Sequence, residues 1–270
     1  MFWWIYDYPS GVIGVIFGVV FVGVTWLGIW LFHAVVHSWL HGERGVNDLV
    51  GFAFSSFSVL YGLLLGLLAV AAYQNFSAVS DIATREAAAL TSLYLDTKGF
   101  PPAFRGELQS DLREYTRTVI EESWPLQRKG IVPRGGIVKV MKFRADLVSF
   151  EPSNRGEEIM LAETFRQFNA FVEARRARLA SVTTGIPAAM WWVVAIGAVL
   201  YIGMILLMDM ELHVHFILGG ALALFLGIVI FLIAVLDNPY RGDVSVGPDA
   251  FQEIYDTVMT PEGTPSLKGR

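Results

Sequence analysis

Residues 216–236 read FILGGALALFLGIVIFLIAVL, twenty-one positions without a Lys, Arg, Asp or Glu. At about 1.5 Å of rise per residue, such a run makes a helix of about 30 Å, the thickness of a bilayer's hydrocarbon core. Three other runs of similar length and composition occupy Ser10–Phe32, Gly51–Tyr73 and Pro187–Met208. The four fall as two pairs around a charged middle. A segment in lipid must satisfy its backbone groups internally, and without strand-like alternation the helix is the way to do so. The expected fold is all-α: a four-transmembrane-helix bundle with a helical cytosolic domain between spans two and three. The expected divisions are 1–73 (spans one and two), 74–186 (cytosolic helical domain), 187–236 (spans three and four) and 237–270 (cytosolic C-terminal tail).

Composition agrees. Hydrophobic residues make up 54% of the 270, more than a soluble globular chain carries. There is no cysteine, which excludes disulfides and thiolate metal sites. Lys and Arg are distributed unevenly: sixteen lie in 74–186 and three after residue 236, whereas the opposite side has Arg44 alone. Under the positive-inside rule this places both termini and the middle in the cytosol of a multi-pass cell (inner) membrane protein. Arg175, Arg176 and Arg178 before span three and Arg241 after span four agree with that orientation. Met1–Pro9 has no positive charge, so a cleaved signal peptide is not expected. Phe2, Trp3, Trp4, Tyr6, Tyr8, Trp191 and Trp192 suit the headgroup layer as anchors.

The middle reads as helices. Ile82, Glu86, Leu90, Leu93 and Tyr94 share one face, and no Gly or Pro separates Gly66 from Gly99, so span two should run on into the first helix of the middle. Pro101 and Pro102 open a second helix. Ser123-Trp124-Pro125 and Arg128–Gly136 should break it, and shorter and longer helices follow over Val138–Val148 and from Glu157 to about Thr183. In the last of these, Ile159, Ala162, Phe165, Phe168, Phe171 and Val172 should point inward. Pro248–Met259 suggests one short helix, and Thr260–Arg270 should be disordered.

Span two carries the most suggestive pattern. Gly51, Ser55, Ser58, Gly62, Gly66, Ala69 and Tyr73 are spaced 4, 3, 4, 4, 3 and 4, which lines one helix face with small or weakly polar groups. Close helix packing through Gly62-x-x-x-Gly66 is one reading; a pore-lining face repeated around an oligomer axis is the other. The glycines of spans one and four read as packing positions. His33, His37 and His41 follow at i, i+4 and i+8, and His213 and His215 lie by the short link that also holds Asp209 and Glu211. This pattern admits a metal-binding or pH-sensing outer mouth, and equally a polar membrane edge without a role. Asp237, ahead of Asn238 and Pro239, ends span four as a turn-forming or bundle-facing acid with Arg241 as a candidate partner. No His-Glu-x-x-His, Gly-x-Ser-x-Gly, Walker or dinucleotide motif occurs, so no enzyme activity and no cofactor is expected. The middle's near-balanced charge gives no support for nucleic-acid binding.

Asn47–Phe54 with Val59–Gly66, Arg85-Glu86-Ala87, Glu121–Pro125, Arg175–Leu179 and Leu236–Gly242 form a further set of stretches. Together they are similar to a bacterial and plant membrane family called bestrophin-like. The resemblance spans about Asn47 to Phe251. Through a remote link to bestrophins it implies a pentameric anion channel whose second span lines the pore, so that membrane lipid, small inorganic ions and further copies of the chain are the implied partners. Carried onto this sequence, the pore-lining set is Ser55, Ser58, Gly62 and Gly66, with Phe54 and Tyr61 at the level of an aromatic neck. The Asn238-Pro239-Tyr240 turn resembles a bestrophin turn, but Arg241-Gly242-Asp243 stands where bestrophins carry a Ca²⁺-clasping acidic run. The leading expectation is a homo-oligomeric, anion-conducting channel. The alternatives are a proton-driven stator-type subunit and a non-conducting scaffold or sensor.

Overall fold

The computed structural model describes residues 3–40 and 45–260. Phe2, His41, Arg44 and the segment 261–270, about which the sequence raises expectations, lie outside the described residues. Among the described residues the chain is helical with no strand. The helices are α1 (Ser10–Leu40), α2 (Val46–Asp96), α3 (Pro102–Thr118), α4 (Trp124–Arg128), α5 (Gly136–Ser149), α6 (Arg155–Ser181), α7 (Ala188–Leu206), α8 (Leu212–Leu236) and α9 (Asp249–Ile254). Of these, α1, α2, α7 and α8 are long and apolar enough to cross a membrane. At 51 residues, α2 is about 77 Å long and outruns a bilayer's hydrocarbon core more than twofold.

The chain divides into two compact units. The first comprises 1–75, 185–238 and 242–244, and the second 76–184, 239–241 and 245–270. In the first unit α1 and α8 pack glycine against bulk. A Cβ on Gly18 would come within 2.8 Å of Leu224, one on Gly14 within 3.0 Å of Phe231, and one on Gly227 within 3.1 Å of the Phe17 carbonyl. Lipid supplies no hydrophobic drive between helices, so this interlocking shape holds them. Gly11 meets nothing within 4 Å and takes no part. Most remaining α1 side chains, such as Val15, Val19 and Trp30, point outward, as lipid-facing residues of a span do.

The second unit has an apolar core that includes Leu90, Leu93, Leu108, Leu112, Phe143, Leu147, Phe171 and Phe251. Of the two expected breaks, the one over Arg128–Gly136 separates α4 from α5, and the one at Ser123-Trp124-Pro125 does not occur. Val119–Ser123 widen into a π-helix, with the Trp124 amide bonded back to the Val119 carbonyl, and the chain stays helical to Arg128. Pro125 then falls in the first turn of α4, where its missing N–H costs little. On α6, Ile159 and Ala162 are exposed, contrary to expectation. The buried line is Thr164, Phe168, Phe171, Arg175 and Arg178, a stripe that polar residues hid from a hydrophobicity reading. The C-terminal segment also belongs to this core: Phe251 is fully buried, Trp124 Nε1 donates to the Val246 carbonyl at 3.0 Å, and Arg117 donates to the Tyr255 hydroxyl at 2.7 Å.

Two opposite charges at 1% exposure or less, Glu86 and Arg178, pair in that core. Glu86 accepts from Arg178 Nε at 2.6 Å and Nη2 at 3.2 Å, and from the Tyr115 hydroxyl at 2.5 Å. Arg178 also donates to Gln127 Oε1 at 2.8 Å and lies over the rings of Trp124 and Phe251. This network ties α2, α3, α4 and α6 together through one carboxylate.

Candidate functional site

Each residue of a helix turns the next by 100°, so Ser55, Gly62 and Gly66 fall within an arc of about 40° on α2. That arc is open. Ser55, Gly62 and Gly66 are exposed, and a Cβ built on Gly51, Gly62 or Gly66 meets nothing within 4 Å. Within one chain, therefore, the small residues do not serve close packing. The side of α2 that does pack carries Tyr61, Leu65, Leu68 and Ala72, all buried.

Tyr61 accordingly does not share a face with Ser55 and Gly62. Its hydroxyl donates to the Val194 carbonyl at 2.7 Å, and its ring fills the gap left by Gly197 on α7. The reason is angular: Tyr61 lies about 120° around the helix from Ser55. Phe54 turns the same way, half-buried with its ring 5.2 Å from that of Tyr201. Ser58 stands at the boundary, half-buried beside Tyr201. The aromatic pair thus sets the angle of α2 against α7 and leaves Ser55, Gly62 and Gly66 free. The Ser55 hydroxyl donates back to the Gly51 carbonyl at 2.9 Å. In that rotamer it offers lone pairs to the open side, and rotation about χ1 would turn the O–H outward.

The histidines gather at the α7–α8 end of the first unit. The His33 and His37 rings stack 6.0 Å apart, and His37 Nδ1 lies 2.9 Å from Asp209 Oδ1. Asn47 holds Asp209 in place by a reciprocal pair of 3.0 Å bonds to its backbone. His33, His37, Asp209, Met210, Glu211 and Leu212 line a recess of about 400 Å³. His215 is buried, with Nε2 2.9 Å from the Ile205 carbonyl and its ring 6.1 Å from that of His33. His213 is exposed beside Glu211, and His41 lies outside the described residues. Among the described residues no three His, Cys, Asp or Glu side chains are grouped so as to hold a metal ion.

At the other end of the first unit, Asp237 caps the turn after α8. Its Oδ1 accepts from the Ile186 amide at 2.5 Å and its Oδ2 from Trp191 Nε1 at 3.2 Å. Burial pushes the Asp237 carboxyl above the ordinary range, against the pull of those two donors. Asn238 donates to the Tyr6 hydroxyl at 2.8 Å, which donates in turn to the Ala234 carbonyl at 2.7 Å. Gly242 takes φ +76°, a conformation that favours glycine. Asp243, the first acid after the turn, accepts from the Ser10 amide at 2.9 Å and so caps α1. Pro239 bonds to the Val246 amide at 2.7 Å within the second unit, where Arg241 is also buried.

The sequence reading missed two arrangements: the Asp243 cap on Ser10, and the Glu86–Arg178 pair. The signal for the second was present, since Glu86 interrupts an otherwise apolar face.

Two solved crystal structures of a substituted membrane protein share the fold. One aligns with a TM-score of 0.59 at 12% identity, covering 86% of this chain and 95% of its own. The other gives 0.58 at 12%, covering 87% and 96%. No curated protein matches the chain. A family model described as the Bestrophin-like domain matches residues 19–251. Family model, shared fold and four apolar helices agree, and the chain is a multi-pass membrane protein that belongs to the Bestrophin-like family.

Proposed function

We propose that the chain is one subunit of a homo-oligomeric, anion-conducting channel, with α2 of each copy around the shared axis. The observation that carries this reading is the open seam of Ser55, Gly62 and Gly66 on α2. A span that packs its aromatic side on its own chain and keeps its small side unused is suited to meeting either other copies or a water column. Residues 49–80 carry no charged side chain, so ion preference comes from the Ser55 hydroxyl and helix dipoles. Five copies, as the family resemblance implies, would arrange five such seams about the axis. The lysine and arginine distribution supports an orientation with both termini and the second unit in the cytosol, in the cell (inner) membrane.

The test is conductance of the full-length protein in a planar bilayer, with Gly62→Trp compared against wild type. Nothing inside the chain lies within 4 Å of a Cβ built on Gly62. The expected result is current in the wild type and its loss in an equally assembled Gly62→Trp. A silent wild type across pH and salt, or an unaffected Gly62→Trp, overturns the proposal.

A further inference from the structure

The second unit has nine exposed large apolar side chains among its described residues, and seven of them lie between Leu126 and Val148. Isolated exposed apolar residues are ordinary, but a concentration in one short stretch marks a surface that meets something. Helix α5 shows how it is built. Val140, Phe143 and Leu147 face the core, yet Val138, Met141 and Val148 on the opposite side are 66%, 54% and 64% exposed. At 100° per residue, Met141 and Val148 form the centre of that outer face, with Arg144 on one flank and Lys142 on the other. Ile131 and Val132, in the preceding loop, extend the apolar strip.

Within the stretch itself the charges are mostly basic, with Glu114 and Asp111 of α3 and Glu122 facing it from neighbouring turns. Residues 126–149 hold six Lys or Arg and a single acid, Asp146. Lys139 is paired with Glu114, and Lys142 with Asp111 and Asp146. Arg128, Lys129, Arg134 and Arg144 have no ion pair among the described residues.

We infer that this α4–α5 face docks on an anionic lipid surface. An apolar centre flanked by cations is the pattern of a helix lying in a membrane interface, with apolar side chains among the acyl ends and cations at the phosphates. The chain carries its own bilayer, through four spans. Trp124, which starts α4, packs its ring 5.8 Å from that of Tyr240, four residues after the last residue of α8. A two-fold pairing of this face with itself is the poorer occupant, because it would set four uncompensated cations against themselves; in a ring of copies the face would meet a different surface, which the detergent comparison below detects. The inference does not rest on conduction by the spans.

The chain has no cysteine, so single labels are clean. Met141→Cys and Val148→Cys would carry an environment-sensitive fluorophore, with Ile159→Cys, exposed outside the stretch, as the control. The full-length protein is placed in nanodiscs of phosphatidylcholine, with or without phosphatidylglycerol. The expected result is a blue shift and a several-fold loss of acrylamide quenching at 141 and 148 in the anionic discs alone. High salt and a variant with Gln at 128, 129, 134 and 144 should reverse it, and the Ile159→Cys probe should stay unchanged. Probes that stay in water in both discs overturn the inference. So does protection that is equal in neutral discs or in detergent, which would assign the face to a second copy or an acidic protein segment.

Discussion

Replacing Glu86 with Ala strands a guanidinium in the core of the second unit. Glu86 is 0% exposed and Arg178 1%, so neither charge reaches water. In the wild type the carboxylate takes three donors, two from Arg178 and one from Tyr115. After truncation Arg178 keeps Gln127 Oε1 at 2.8 Å and the faces of Trp124 and Phe251 at 5.4 and 5.5 Å, none of which carries negative charge. Breaking a buried pair from one side costs about 3–5 kcal/mol, because the remaining charge stays desolvated. At roughly 2–4 °C per kcal/mol for a chain of this size, the unfolding midpoint should fall by about 6–20 °C. Arg178→Met should cost a similar amount by leaving Glu86 bare. The double variant Glu86→Leu/Arg178→Met should lose less than either single change, since it removes both desolvated charges together. The assay is a thermal melt of the detergent-purified full-length protein, read by intrinsic tryptophan fluorescence. Single variants that melt within about 2 °C of wild type, or a double variant that loses the sum of the two, would refute the claim that this pair is mutually compensated.

Gly197→Ala should destabilise the first unit by about 1–3 kcal/mol, because the new Cβ overlaps the Tyr61 ring and must dislodge its bond to Val194. Gly62→Ala, with nothing within 4 Å, should leave the melt unchanged, and paired melts of the two variants check the stated orientation of α2. Asp237 should add a pH dependence of definite sign. Burial raises its folded pKa, so its contribution is present below the ordinary carboxylate range and is lost as pH rises through the folded value. Asp237→Asn removes that loss, so its melting midpoint should gain on wild type between about pH 4 and pH 7, and a constant difference across that range would count against a raised carboxyl.

The span count was legible because a bilayer admits few solutions: long uncharged runs must be helices, and their length is set by the thickness of the hydrocarbon. Contacts were less legible. Helical spacing put small residues on one face of α2 but could not say which neighbour occupies the opposite face, and so Tyr61 was grouped with Ser55 although it lies against Val194. The break expected at Pro125 failed for a related reason: a π turn over Val119–Ser123 moves the proline into a first turn, a local rearrangement that no residue type announces. Glu86 and Arg178 are 92 positions apart, and the sequence offered only an acid on an apolar stripe as a hint. By itself, then, the sequence determined the solvent, the helices and the side of the membrane its charges favour, because these depend on sums over a segment. The tertiary structure decided which face of α2 is used inside the chain, which acid neutralises which buried arginine, and that Asp243 is spent on the start of α1, because these depend on pairs of residues brought together only by folding.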